Sequence, residues 1–213
     1  MTNERNRPNV LLVVSHPEHD SATWAIARAV EQGIQADGST KATVHDLTAS
    51  GFDPVWNAAD LAVHRHLSPV PDDVKREQEL LETADVIVLL FPVYWWSLPA
   101  LAKGWIDRVF SRGWAYENGA NRDQSALTEL HFVALAGVNQ SSYERRGYKD
   151  SLTTQLLQGI SEYSNIAESS LQLLYGTETS DPQAHVELAA QGYKVGADLA
   201  QRAQAAFDKR VSA

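Results

Sequence analysis

The chain has 213 residues, 44% hydrophobic content and a net charge of −9, and it contains no cysteine. The missing cysteine excludes disulfides, thiolate catalysis and cysteine-ligated metal sites, and the acidic balance without a long basic run argues against nucleic-acid binding. Residues 1–8 are polar, and no apolar run approaches the roughly 20 residues that cross a bilayer, so we expect a cytoplasmic protein without membrane insertion.

Apolar runs alternate with amphipathic segments along the chain. The runs predict buried strands at residues 10–15, 43–47, 86–91, 131–137 and 170–175. Apolar residues at helical spacing, with capping residues such as Ser21, predict helices at residues 21–36, 74–83, 98–110, 150–163 and 181–207. Residues 48–70 lack a clean period and are predicted to be a loop, residues 113–123 a polar excursion, and the acidic residues 77–82 a solvated helix face.

The alternation of strands and helices predicts a parallel sheet with helices on both faces. Five strands with one crossover each match the α/β flavodoxin-like three-layer sandwich, in which the strand order is 2-1-3-4-5. That order places a ligand between the ends of the first and third strands. We therefore predict one domain over residues 1–213, with residues 1–8 as a disordered N-terminal extension.

The loop after the third strand carries the strongest signal for a ligand. Residues 91–99 read FPVYWWSLP, so Tyr94, Trp95 and Trp96 lie between two prolines. Prolines restrict a loop in advance, and a restricted aromatic loop holds a flat ring with little loss of entropy. The alternative is a hydrophobic loop that only caps the core.

The loop after the first strand offers groups suited to a phosphate. Residues 15–23 contain neither a Gly-x-Gly-x-x-Gly pattern nor a Walker lysine. The hydroxyls of Ser21 and Thr23, and the free amides at a helix start, suit a phosphate without any cation. His16 stands at the strand end, where it could donate to a phosphate oxygen. The alternative is that His16 only closes the turn and Ser21 only caps the helix.

The loop after the fourth strand runs from Gly137 to Tyr143 and would face the same crevice. Glycine at a strand end lets another group approach the backbone closely, and Tyr143 offers a ring and a hydroxyl beside that gap. An ordinary turn is the alternative. His64 and His66 would lie on opposite faces of an extended segment, which is poor geometry for a metal, and His16 and His19 lack a third ligand. No nucleophile turn of the Gly-x-Ser-x-Gly type occurs.

Residues 91–110, FPVYWWSLPALAKGWIDRVF, resemble the signature of the NAD(P)H quinone dehydrogenases of flavodoxin-like fold. The His-Pro-Glu sequence at residues 16–18 resembles that family's phosphate-side loop, and residues 137–143 stand where the family has its third flavin loop. The resemblance implies three groups of flavin-binding residues: His16, Ser21, Ala22 and Thr23 around the phosphate, Pro92, Val93, Tyr94, Trp95 and Trp96 along the isoalloxazine, and Gly137, Val138 and Tyr143 at its pyrimidine end.

The resemblance further implies a flavin-dependent NAD(P)H oxidoreductase that passes a hydride by a ping-pong mechanism to a quinone or similar flat electrophile. FAD is the expected flavin, with FMN as the alternative, and a homodimer would close the site. Tyr143 would act as the catalytic hydrogen-bond donor. Tyr148 and Lys149 stand where some members place a histidine, which argues against a tyrosine–histidine relay. Two other readings stay open: a flavin-binding regulatory subunit of a potassium efflux system, and a flavodoxin-type electron carrier.

Overall fold

A computed structural model describes residues 7–117, 127 and 129–212. Its strands pair in parallel in the order β2-β1-β3-β4-β5, which confirms the predicted flavodoxin-like sheet. The carboxyl ends of β1 and β3 are therefore neighbours at the switch point of the sheet. The strands are β1 Asn9–Val14, β2 Lys41–Asp46, β3 Val86–Pro92, β4 Glu129–Ala136 and β5 Glu168–Tyr175.

Helices cover both faces of the sheet. They are α1 Ala22–Ile34, α2 Ala58–His64, α3 Asp72–Leu81, α4 Ala100–Val109, α5 Gln140–Arg146, α6 Tyr148–Thr153, a π-helix Thr154–Glu162 and α7 Pro182–Ser212. One core packs α1 and α7 against the sheet, and the other packs α3, α4, α6 and the π-helix. Among the described helices, not even the 31-residue α7 has an apolar stretch sufficient to span a membrane.

The helices α1 and α7 touch through their backbones. A Cβ atom added to Gly33 would overlap the carbonyl oxygen of Tyr193, and one added to Gly196 would overlap the carbonyl oxygen of Val30. Only glycine allows this approach, so α7 lies directly along α1. The pairing fixes the start of α7, and with it the loop that follows β5, at the carboxyl edge of the sheet.

Residues 48–70 contain the helix α2, so the prediction of a loop there was wrong. Asn57 caps α2 in a capping box with Asp60. The buried guanidinium of Arg108, on α4, donates to the Asp60 carboxylate at 3.0 and 3.1 Å and to the carbonyl of Asp53 at 2.6 Å. This tertiary ion pair, which local periodicity does not encode, anchors α2.

Other predictions also need correction. Residues 150–163 form the end of α6 and a π-helix instead of one α-helix, and α5 lies in the segment predicted to be a loop. Pro8, assigned to a disordered extension, is buried, and its carbonyl accepts from the Lys41 amide at 2.8 Å. Residues 1–6, and residues 118–123 of the predicted polar excursion, lie outside the described residues.

The acidic face of α3 is partly buried, which contradicts the prediction of a solvated face. Glu77 and Gln78 are only 8% and 5% exposed. The Glu77 carboxylate receives hydrogen bonds from Trp105 Nε1 at 2.9 Å and His45 Nε2 at 2.8 Å. Burial alone would raise the pKa of Glu77, but the hydrogen bonds from His45 and Trp105 outweigh it and leave the pKa below 4.5.

The lowered pKa of Glu77 predicts how stability depends on pH. Because the folded pKa lies below the unfolded one, ionised Glu77 stabilises the fold above about pH 4.5, and this contribution is lost as the pH falls through the folded pKa. We expect Glu77→Gln to flatten the decline of the unfolding free energy between about pH 6 and about pH 3 in urea titrations. Glu79→Gln is the control, since Glu79 is exposed and its carboxylate lies 3.7 Å from the ammonium group of Lys75. An equal flattening in both variants would contradict the assignment.

Candidate active site at the carboxyl edge of the sheet

Three loops that follow β1, β3 and β4 meet at one edge of the sheet. The amide of Ser15, just past β1, donates to the carbonyl of Leu90 on β3 at 3.0 Å. The amide of Val93, just past β3, donates to the carbonyl of Leu135 on β4 at 2.8 Å. The strand pairing therefore continues to the first residues of the loops and brings the three sequence-predicted segments together.

The β1 loop presents backbone amides at the start of α1. Ser21 caps the helix, because its Oγ accepts from the Trp24 amide at 3.3 Å and donates to the Glu18 carbonyl at 2.7 Å. The amides of Ala22 and Thr23 have no acceptor among the described residues. Thr23 as a whole is buried, at 3% exposed. Free amides at a helix N-terminus form a site for a phosphate.

His16 and His19 have different roles in this loop. Nδ1 of His16 lies 3.1 Å from both the amide nitrogen and the carbonyl oxygen of Glu18, so Nε2 is the ring nitrogen left without a partner among the described residues. His19 stacks on Trp24 at 4.3 Å and bonds to the Asp46 carboxylate at 2.8 Å. Trp24 Nε1 in turn donates to the His16 carbonyl at 3.1 Å. His19 and Trp24 brace the loop that carries His16.

The β3 loop reverses direction in a tight turn with left-handed backbone. The amides and carbonyls of Tyr94 and Ser97 exchange hydrogen bonds at 3.1 and 3.0 Å, and between them Trp95 and Trp96 have φ of 49° and 59°. Positive φ at both central positions defines a type I′ turn, which favours asparagine and glycine. Each tryptophan in this conformation costs about 1–2 kcal/mol, and such strain is concentrated at functional sites.

The turn exposes one tryptophan and packs the other. Trp95 is 94% exposed. Trp96 stacks on Tyr148 with ring centroids 3.7 Å apart and contacts Tyr143 edge-on at 5.9 Å. Tyr143 also contacts Tyr148 and Tyr175 edge-on, at 5.7 and 5.3 Å. Tyr148 and Tyr175 were not among the predicted site residues. The one sequence signal for them is that both are aromatic residues close to loops at the edge of the sheet.

Tyr143 lies at the centre of this aromatic cluster, on α5 rather than in a loop. It is 1% exposed, and its hydroxyl has no hydrogen-bond partner among the described residues. Burial, with smaller contributions from Tyr175 and Tyr148, raises the pKa of Tyr143 to about 12. The phenol is therefore protonated at neutral pH. A buried donor without an acceptor is costly in the free protein, which points to an acceptor supplied by a ligand.

Beside Tyr143, the β4 loop lies against the loop that follows β5. The amides of Gly176 and Thr177 donate to the carbonyls of Val138 and Ala136 at 3.2 and 3.1 Å. The space where Gly137 lacks a side chain is filled by Glu178, whose carboxyl carbon would lie 2.6 Å from a Cβ at position 137. The β5 loop is thus a fourth component of the site, and the sequence analysis missed it.

The π-helix connects the β3 loop to a large apolar cavity. Ser97 Oγ donates to Oε1 of Gln155 on the π-helix at 2.9 Å. Leu98 and Gln155 also border a cavity of about 790 Å³, whose other lining residues include Trp56, Leu61 and Tyr163. Segments of π-helix are frequent at functional sites. The cavity adjoins the aromatic turn on the α4 side.

The comparisons with known proteins agree with this geometry. A family model described as Flavodoxin-like fold matches residues 8–195. An uncharacterised NAD(P)H oxidoreductase of Haemophilus influenzae is 31% identical over 189 residues, covering 86% of this chain and 93% of that protein. A solved NAD(P)H:quinone oxidoreductase from Methanothermobacter marburgensis has a TM-score of 0.82 at 22% identity, covering 91% and 96%. General stress protein 14 of Treponema denticola, solved with FMN, has a TM-score of 0.64 at 24% identity, covering 92% and 100%.

The strain in the aromatic turn predicts a stabilising substitution. Trp95 makes no ring contact or side-chain hydrogen bond with the described residues, so Trp95→Gly removes left-handed strain without loss of packing. We expect the unfolding free energy of the ligand-free chain to rise by about 0.5–1 kcal/mol. This gain is the backbone strain that is relieved, reduced by the conformational entropy that glycine adds to the unfolded state. Urea denaturation measures the change. His66→Gly, at an exposed residue with φ of 57°, should give a similar gain; a gain there with none at Trp95 would refute strain in the turn.

Proposed function

This chain belongs to the family of flavodoxin-like fold NAD(P)H oxidoreductases, and we propose that it is a flavin-dependent enzyme that transfers two electrons to quinones or similar flat electrophiles. The observation that carries the proposal is the buried hydroxyl of Tyr143, which lies where the β3 and β4 loops meet and finds no partner within residues 7–117, 127 and 129–212. A planar ligand with carbonyl groups, lying along Trp96, would satisfy that hydroxyl. Its phosphate would meet the free amides of Ala22 and Thr23.

The predicted flavin-binding residues suit such a cofactor. His16, Ser21, Ala22 and Thr23 would surround the phosphate, mainly through amides and the outward Nε2 of His16. Tyr94, Trp95 and Trp96 would line the ring, and Gly137, Val138 and Tyr143 would contact its pyrimidine end. A bound flavin would supply hydride chemistry, in a ping-pong sequence in which NAD(P)H and the acceptor occupy the same slot in turn.

The residues of the chain contribute position and electrostatics. The amides of Trp95 and Trp96 have no acceptor among the described residues, so they are available to negative charge on the ring. The protonated phenol of Tyr143 donates a hydrogen bond without titrating near neutral pH, because its pKa is raised to about 12. Pro92 and Pro99 hold the two ends of the loop.

We propose FAD as the flavin, with FMN as the alternative. The motif of residues 91–110 favours FAD by its resemblance to quinone dehydrogenases. The Treponema protein of the same fold was solved with FMN. The two cofactors differ in the adenylate, which would have to pass the β1 loop where His19 stacks on Trp24. A cytoplasmic location stays a prediction.

We further propose that the chain acts as a homodimer. Apolar side chains around the 790 Å³ cavity are exposed, among them Trp56 at 45% and Tyr163 at 63%. Exposed apolar patches of this kind mark protein–protein contacts. A second copy covering this face would shield the cavity and border the turn that carries Trp95.

Purification of the protein tests the proposal directly. We expect absorption bands near ~375 and ~450 nm that bleach when NAD(P)H is added, and release of the chromophore identifies it as FAD or FMN. Quinone added afterwards should restore the bands. A protein that stays colourless when incubated with both flavins would contradict the enzyme and leave a binding module of the same fold.

Tyr143→Phe separates a role in the reaction from a role in packing. Because its hydroxyl has no partner in the described part of the chain, we expect the substitution to leave the unfolding free energy unchanged or slightly higher. Loss of one hydrogen bond to the bound ring or acceptor should lower kcat/KM by about 3- to 10-fold. Tyr193→Phe, at a half-exposed residue on α7, is the control. If every steady-state constant of Tyr143→Phe equals the wild-type value, the assigned role is wrong.

A further inference from the structure

The loop after β5 places one exposed carboxylate, that of Glu178, at the candidate site. Hydrogen bonds from the amides of Gly176 and Thr177 tie the backbone before Glu178 to the β4 loop. After it, the carbonyl of Thr179 bonds to Nε2 of His185 at 2.8 Å, and Thr179 Oγ1 accepts from the Asp181 amide at 3.1 Å. The backbone on both sides of Glu178 is therefore held by hydrogen bonds.

The side chain of Glu178 packs on the backbone of Gly137. A Cβ atom at position 137 would lie 2.7 Å from Oε1 and 2.6 Å from the carboxyl carbon of Glu178, so any larger residue would displace the carboxylate. No hydrogen bond or ion pair engages this carboxylate among the described residues. The nearby Glu144, in contrast, accepts from Gln140 Nε2 at 2.8 Å. Glu178 is thus a carboxylate without a donor among the described residues, and it covers the backbone of Gly137 in the β4 loop.

We propose that the carboxylate of Glu178 lowers the reduction potential of the bound flavin and accepts a hydrogen bond from the N–H of its pyrimidine ring. The inference rests on the proposed function, which places the pyrimidine end of the ring at Gly137 and Val138. A carboxylate is an acceptor only, so it matches the single N–H donor at that end of the ring. Charge close to the ring is one of the means by which a protein tunes a flavin.

The electrostatic effect follows from the charge balance of the reaction. Hydride transfer from NAD(P)H adds two electrons and one proton to the ring, which gains one negative charge while the nicotinamide leaves in its oxidised form. A fixed carboxylate nearby repels that charge and weakens binding of the reduced cofactor relative to the oxidised one. The reduced cofactor then gives its electrons to the acceptor more readily. Glu178 is exposed, so water screens the repulsion and the effect is modest.

Glu178→Gln isolates the charge, because the amide keeps an acceptor oxygen in the same place. We expect the ratio of affinities for reduced and oxidised flavin to rise about tenfold, which for a two-electron couple raises the midpoint potential by about 30 mV. The potential is measured by equilibration with a reference dye, on protein saturated with FAD, or with FMN if that is the chromophore released. Glu178→Asp keeps the charge and should shift the potential less.

Glu187→Gln is the matched control, since Glu187 is an exposed carboxylate on α7 that is bonded to Gln183. Its potential should equal that of the wild type. The rise in Glu178→Gln should also shrink at high ionic strength, because salt screens an exposed charge. If wild-type protein binds flavin and Glu178→Gln has an unchanged potential, or Glu187→Gln shifts it equally, the inference is overturned. If wild-type protein binds neither FAD nor FMN, the proposed function itself fails.

Discussion

The site depends on how β3 ends. The hydrogen bond from the Val93 amide to the Leu135 carbonyl, 2.8 Å long, carries the β3–β4 pairing one residue beyond the strand. The chain must then turn back within four residues, because Leu98 and Pro99 are already buried at the start of α4. A turn that short has few geometries, and the one adopted forces two tryptophans into left-handed backbone. The short turn between β3 and α4 therefore determines where the two tryptophans lie, why their backbone is strained and why aromatic rings line this edge of the sheet.

The central part of this arrangement was predictable from sequence, since a strand buried on both faces is recognised by its apolar run. Residues 86–91 and the helix after them were placed within two residues of their observed ends. Ligand binding by the aromatic loop between them stays a prediction. The backbone of Trp95 and Trp96 was not predictable. Tryptophan has no preference for positive φ, so nothing local indicates a type I′ turn. The turn results from the pairing of β3 with β4, which is a property of the whole sheet.

The elements that sequence analysis missed are those held by contacts between distant residues. Helix α2 has only seven residues, and the buried guanidinium of Arg108, 48 residues from Asp60, anchors it. The π-helix has the same apolar spacing as an α-helix, so periodicity does not separate the two. Glu178 meets Gly137 only because β4 and β5 are adjacent. The glycine itself was identified as a point of close approach, but the identity of the approaching group depends on the topology.

The charges around the site are divided between its two ends. At the β1 loop, free amides of α1 supply positive partial charge, and the guanidinium of Arg28 braces the loop through the His19 carbonyl at 3.1 Å. At the β4 loop, the carboxylate of Glu178 against Gly137 supplies negative charge. A ligand with an anionic phosphate at one end and an N–H donor at the other fits this polarity in one direction only. The orientation of a flavin would then be selected mainly by backbone dipoles and one carboxylate. The loops at this edge contribute no lysine for this purpose, which is consistent with the net charge of −9.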